Sequence, residues 1–226
     1  MYSSGSTWLF NAARAVATAL YPQEHVAGHY AEGMDVLGQL PAALNIVKTH
    51  HLGRAEARFL EMRAARILIS LRDPRDAVTS MMQHMGQNFL QALHFVEHSA
   101  QFAARYAGHP QAELYLYESG FTDTEAVFDQ MAAALGGVLS AGERHNLFTA
   151  TRRSQIEEKI SRLEELPTTW RNPANGDVVD RDTQWHRHHA GRSGESGRWK
   201  RLLPREGTAL IERRMAGFMR KFGYLA

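Results

Sequence analysis

The chain has 226 residues, 44% of them hydrophobic and 22% charged, with no cysteine and a formal net charge of +2. That length fits one medium domain over residues 1–226 with a buried core, and the lack of cysteine excludes disulfides, thiolate metal ligands and a thiol nucleophile. No apolar run can span a bilayer, the first residues lack a secretory signal pattern and the basic residues form no dense stripe, so a cytoplasmic protein with no nucleic-acid partner is expected.

Helical periodicity starts at once: Leu9, Ala13, Val16 and Leu20 fall on one face, with Ser6 and Thr7 as cap candidates and Pro22 as the stop. Short β-rich runs follow at Leu44 to Val47, Arg66 to Leu71 and Glu113 to Tyr117, separated by helical stretches. This alternation predicts an α/β fold, a three-layer arrangement with a short parallel sheet flanked by helices. After the second run, Asp73 is a natural N-cap and Pro74 a natural first helical residue, which leaves Arg72 at a strand's carboxyl end, where open α/β sheets bind ligands. Thr122 and Glu125 have capping-box spacing ahead of a helix that Gly136 can close. A last helix carries Ile211, Met215, Phe218 and Phe222 and ends at Gly223. Between them, Asn172 to Gly197 is polar and aperiodic and reads as a long functional loop. Val26 to Leu40, Gln83 to Leu93 and Trp170 to Arg187 read as loops on the substrate side.

Several short motifs carry chemistry. Ser4-Gly5-Ser6-Thr7-Trp8 combines a glycine turn with a helix start, and so presents backbone N–H groups and a positive dipole end to an anion. It lacks the Gly-Lys-Ser/Thr of a P-loop nucleoside triphosphatase, which disfavours an adenylate-type kinase. Lys48-Thr49-His50 follows a strand and would deliver a cation and an imidazole whose ordinary pKa of about 6.5 suits proton removal near neutral pH; His51 is the next candidate. Arg72-Asp73-Pro74-Arg75-Asp76 offers two cations at a strand-to-helix junction, with Ser80 further along the helix. An arginine fork there can hold a phosphate, or each arginine can pair with a neighbouring aspartate. His186, His188 and His189 could ligate a metal, but no carboxylate–histidine pattern surrounds them, and a polar substrate-side loop with no metal is the expected reading.

Taken in order and spacing, these segments resemble the sulfotransferases that use 3′-phosphoadenosine 5′-phosphosulfate (PAPS). Ser4 to Leu9 is similar to the family's 5′-phosphosulfate loop, and Arg72 through Ser80 to its 3′-phosphate motif. Lys48-Thr49-His50 matches the segment with the active-site lysine and catalytic histidine, Tyr117-Glu118 the pair near the adenine, and Arg192 to Lys200 the late glycine-rich arginine loop. The resemblance implies sulfuryl transfer from PAPS, without a metal, to a hydroxyl or amine on a small-molecule, glycan, lipid or peptide acceptor. It implies His50 and Lys48 as catalytic, and Ser4, Gly5, Ser6, Thr7, Trp8, Arg72, Ser80, Tyr117, Arg192 and Gly194 as cofactor-binding. The chain departs from the pattern at Ser3, where the family usually has a basic residue, at Ser193, where many members have lysine, and in having almost nothing ahead of the first turn, as if the preceding strand were missing. A catalytically inactive adenine-nucleotide-binding module is the alternative that these departures keep open.

Overall fold

The computed structural model describes residues 1–31, 40, 42–173, 176–190 and 195–225, apart from the side chains at 60 and 190. The elements are α1 (Ser6–Leu20), β1 (Val26–Tyr30), β2 (Leu44–Lys48), α2 (Arg54–Arg63), β3 (Ile67–Leu71), α3 (Pro74–Met85), α4 (Phe89–Tyr106) and β4 (Ala112–Leu116). They continue with α5 (Ala126–Ala134), α6 (Ala141–Thr151), α7 (Arg153–Ser161), β5 (Thr169–Arg171), β6 (Val178–Asp180), α8 (Trp199–Leu202) and α9 (Arg205–Lys221). The chain divides into two compact units, one of Met1–Ser6, Ile67–Gly120 and Arg192–Ala226, the other of Thr7–Arg66 and Phe121–Gly191. No helix among the described residues is long and apolar enough to cross a membrane.

In the first unit β3 and β4 pair in parallel, with Ile67 opposite Ala112 and Leu71 opposite Leu116. Parallel neighbours need a crossover, and α3 and α4 supply it. Asp73 accepts a hydrogen bond from the Arg75 N–H at 2.9 Å and Pro74 opens α3, so the helix starts where the sequence predicts, and Gly86 closes it at φ 63°. Asn88 and Gln91 then form a capping box that starts α4. Ala77, Val78 and Met81 of α3 meet Leu93, Val96 and Ala100 of α4 and Ile211, Met215 and Met219 of α9 in one buried cluster. Each fully buried leucine or isoleucine there contributes about 1.5–3 kcal/mol, so this cluster holds rigid the junction that follows β3.

In the second unit β1 and β2 form a parallel pair, with Val26 opposite Leu44, and β5 and β6 an antiparallel pair, with Thr169 opposite Asp180. The predicted stripe of α1 is buried at Leu9, Ala13 and Val16, and Trp8 of the same helix meets the rings of Phe121 and Phe128. Several expectations change. Strand β1 occupies the start of the segment expected to be a loop from Val26; at its Gly28 the Arg14 guanidinium lies against the backbone, 2.5 Å from where a Cβ would stand. Residues 32–39 lie outside the described residues. Gln83 to Leu93 is mostly the end of α3 and the start of α4, and the expected loop after Asn172 contains β6 and a 3₁₀ turn at Arg187–Ala190. The capping box at Thr122 does not form: Thr122 bonds to the Asp123 carboxylate, while Glu125 turns to His145 and Arg144 of α6. The Glu125 carboxylate is thereby taken up by α6, and α5 starts at Ala126 with Glu125 itself at the N-cap position.

Candidate functional site

The residues singled out in the sequence fall into two sets, one in each unit. In the first unit, the chain reaches α1 through a turn in which Ser3 and Gly5 both have positive φ, 54° and 77°. Gly5 adopts the left-handed region without steric cost, and alternating signs of φ turn successive N–H groups to one side. Helix α1 begins at Ser6, so Ser6 and Thr7 lie inside its first turn instead of capping it, and that turn has backbone N–H groups with no intrahelical acceptor. The Ser4 hydroxyl is fully buried and bonded to the Met1 carbonyl at 2.7 Å and the Ser70 hydroxyl at 2.8 Å. Its side chain therefore ties the turn to β3.

Arg72 leaves the end of β3 buried. Its two terminal nitrogens donate to the carbonyls of Ser3 and Glu195, each at 3.1 Å, and its guanidinium lies over the Tyr117 ring at 4.2 Å. Its Nε is buried and has no partner among the described residues. Arg75, three residues on, has a different environment: it binds Asp73 and Glu212, both at 2.7 Å, donates to the Tyr224 carbonyl and stacks on Trp199. The pairing of arginine with a neighbouring aspartate thus holds for Arg75 and not for Arg72.

Two acidic residues whose roles the sequence did not reveal shape this corner. Glu118 accepts from the Asp73 N–H at 2.8 Å and from the Tyr224 hydroxyl at 3.0 Å, which fixes the turn after β3. Asp76 accepts from the N–H groups of Gly197 and Trp199 and so fastens the end of the late loop to α3. No spacing rule links Asp76 to residues about 120 positions away, so only the fold exposes it. Ser80 is half-buried on α3, and Arg198 donates to Gln83 on the same helix. His84 is pushed below the usual histidine range by burial and then by Arg198 and Arg72, which marks a cationic neighbourhood. Arg192 and Gly194 lie outside the described residues.

In the second unit, the buried Lys48 ends β2 and donates to the Thr7 hydroxyl at 2.6 Å, with its ammonium 5.4 Å from the Tyr30 ring centre. His50, two residues on, is buried and meets Tyr30 edge to face. Burial drives its imidazole well below the ordinary histidine range, and Lys48 drives it further, so the ring is neutral at physiological pH. Neutral imidazole is the form that accepts a proton. Trp8 is buried as well, its indole N–H bonded to the Thr151 carbonyl at 3.0 Å.

No protein-family profile matches the chain, and no curated protein sequence matches it. Solved structures do. A mouse sulfotransferase, SULT7A1, crystallised with PAP, superposes with a TM-score of 0.66 at 14% identity, over 96% of this chain and 81% of that one. The fold is that of the sulfotransferases. Retinol dehydratase, with androsterone and the inactive cofactor PAP, gives a TM-score of 0.56 at 18% identity over 81% of this chain, and its complex with retinol and PAP gives 0.52 at 17%. The chain spans 55% and 56% of the length of those two dehydratase chains. In this sulfotransferase fold, three of the segments that carried the resemblance stand at the end of β2, at the end of β3 and in the turn before α1.

Proposed function

We propose that the protein transfers a sulfuryl group from PAPS to a hydroxyl or amine acceptor. The observation that carries this reading is Arg72: a buried guanidinium at the end of a parallel strand, bonded only to carbonyls among the described residues, with Nε unpartnered. A buried cation without a carboxylate is costly, and an anionic ligand removes that cost. The sulfotransferase fold, in structures crystallised with PAP, supports a 3′-phosphorylated adenine nucleotide as that ligand.

On this reading Arg72 and Ser80 bind the 3′-phosphate, with Arg192 and Gly194 of the late loop, and Tyr117 carries the guanidinium on its face. The N–H groups of Gly5, Ser6 and Thr7 hold the phosphosulfate. Lys48, held by the Thr7 hydroxyl, neutralises charge that develops on the transferring and leaving oxygens. His50 takes the proton of the acceptor as its oxygen or nitrogen forms a bond to sulfur. The bond from sulfur to the 5′-phosphate oxygen breaks, the negative charge leaves with 3′,5′-bisphosphoadenosine (PAP), and His50 returns the proton to solvent. Alignment supplies most of the rate in such an in-line displacement.

Small molecules, glycans, lipids and peptides all remain candidate acceptors. The test is incubation with PAPS and a panel of phenols, alcohols, amines and sugars, reading PAP release. Acceptor-dependent release supports the proposal. Tight PAP binding with no turnover on any acceptor would assign the chain to the alternative, a non-catalytic nucleotide-binding module, which Ser3 in place of a basic residue favours.

A further inference from the structure

The histidine-rich segment, expected to be a polar substrate-side loop, is held in a defined shape. Val179 of β6 bridges antiparallel to His186, and the Asp180 N–H donates to the Trp185 carbonyl at 2.9 Å. His188 lies in the 3₁₀ turn Arg187–Ala190 that starts directly after this bridge, and that turn carries its ring back toward Asp177, just ahead of β6. His186 Nδ1 lies 2.6 Å from Asp177 Oδ2, and His188 Nδ1 lies 3.4 Å from the same oxygen. Candidate ligand atoms of all three residues lie within 4.8 Å of one another. The Asn172 N–H fixes the Asp177 carbonyl at 2.8 Å, and His189 Nδ1 accepts from the His186 N–H at 3.1 Å, so both ends of the group are pinned by backbone bonds.

We propose that Asp177, His186 and His188 form a binding site for a divalent transition metal of the zinc class. The donor set decides the class. Two imidazole nitrogens and one carboxylate oxygen suit zinc, cobalt, nickel or iron, whereas magnesium and calcium select oxygen ligands. The spacing agrees. With metal–ligand bonds of about 2.0–2.2 Å, tetrahedral ligand atoms stand about 3.3–3.6 Å apart. The Asp177–His188 pair already matches this, and the Asp177–His186 pair has to open by less than about 1 Å. The three side chains remain partly exposed, which gives an ion a way in. Three protein ligands also leave a coordination position open, the arrangement of reactive metal sites more than of closed structural ones. The carboxylate that the local histidine pattern lacked stands nine positions before His186.

The site belongs to the second unit and its argument does not rest on the sulfuryl-transfer proposal. The test is calorimetric titration of chelator-treated protein with zinc, and with cobalt read by its visible absorption. Wild type takes up one equivalent. Asp177→Asn and His188→Ala each weaken binding by at least about tenfold and alter the cobalt bands. His145→Ala, which removes an exposed imidazole paired with Glu125, changes neither readout. Circular dichroism confirms that each variant is folded, and His186→Gln replaces any that is not. Failure of wild type to bind an equivalent, or equal binding by wild type and the Asp177 and His188 variants, overturns the assignment, since the metal would then sit on other histidines or nowhere.

Discussion

The ends of β2 and β3 invite comparison, because each delivers buried polar side chains to the carboxyl edge of a parallel strand pair and each solves the problem differently. At β3, charge is kept and sorted. Asp73 and Glu212 neutralise Arg75, while Arg72 has only carbonyl hydrogen-bond partners among the described residues. At β2, charge is excluded from one member: Lys48 is held by a neutral hydroxyl, and His50 beside it is kept uncharged by burial and by that lysine. The difference teaches that two strand ends of similar burial can be given opposite electrostatic character, one presenting a guanidinium without a carboxylate partner among the described residues and one an imidazole held neutral.

Breaking the β2 end should have the largest effect. His50→Ala is expected to lower turnover by about 10²- to 10⁴-fold and leave PAP affinity nearly unchanged, because a general base acts on the chemical step. Steady-state kinetics with PAP titration separates the two. In wild type the acid limb of kcat/KM should fall below 6.5, because the working form is neutral and is lost only as pH drops through a folded-state pKa that burial and Lys48 depress. A limb above that value would assign the base elsewhere, with His51 next.

The β3 end can be sharpened by contrasting its two arginines. Arg75→Ala strands Asp73 without its partner and should cost about 3–5 kcal/mol of stability, as broken buried ion pairs do. Arg72→Ala removes a charge that has no carboxylate partner and should cost clearly less. Urea denaturation of both variants measures the contrast; equal losses would mean that Arg72 is structural too.

What the sequence disclosed followed the range of the interactions involved. Asp73 and Pro74 act within one turn, so the start of α3 and the position of Arg72 at the strand end could be read directly. The apolar stripe of α1 and the runs at β2, β3 and β4 were legible for the same reason, since periodicity is local. Strand β1 was not: Val-Ala-Gly-His-Tyr alternates weakly, and its pairing with β2 stabilises it from outside the segment. The partners of Asp76, Glu118 and Asp177 escaped because only the fold brings those groups near. The cap expected at Thr122 did not form, as the Glu125 carboxylate meets Arg144 and His145 on α6.

The central claim is that Arg72 keeps its charge for the 3′-phosphate of an adenine nucleotide, and calorimetric titration with PAP and with 5′-AMP tests it most directly. Charge-assisted hydrogen bonds contribute about 1.5–3 kcal/mol each, and about 1.4 kcal/mol is a tenfold change in affinity. Wild type should therefore bind PAP at least about tenfold more tightly than 5′-AMP. Arg72→Ala should erase most of that difference while leaving 5′-AMP binding almost unchanged. Equal affinities in wild type, or undiminished discrimination in the variant, would contradict the account.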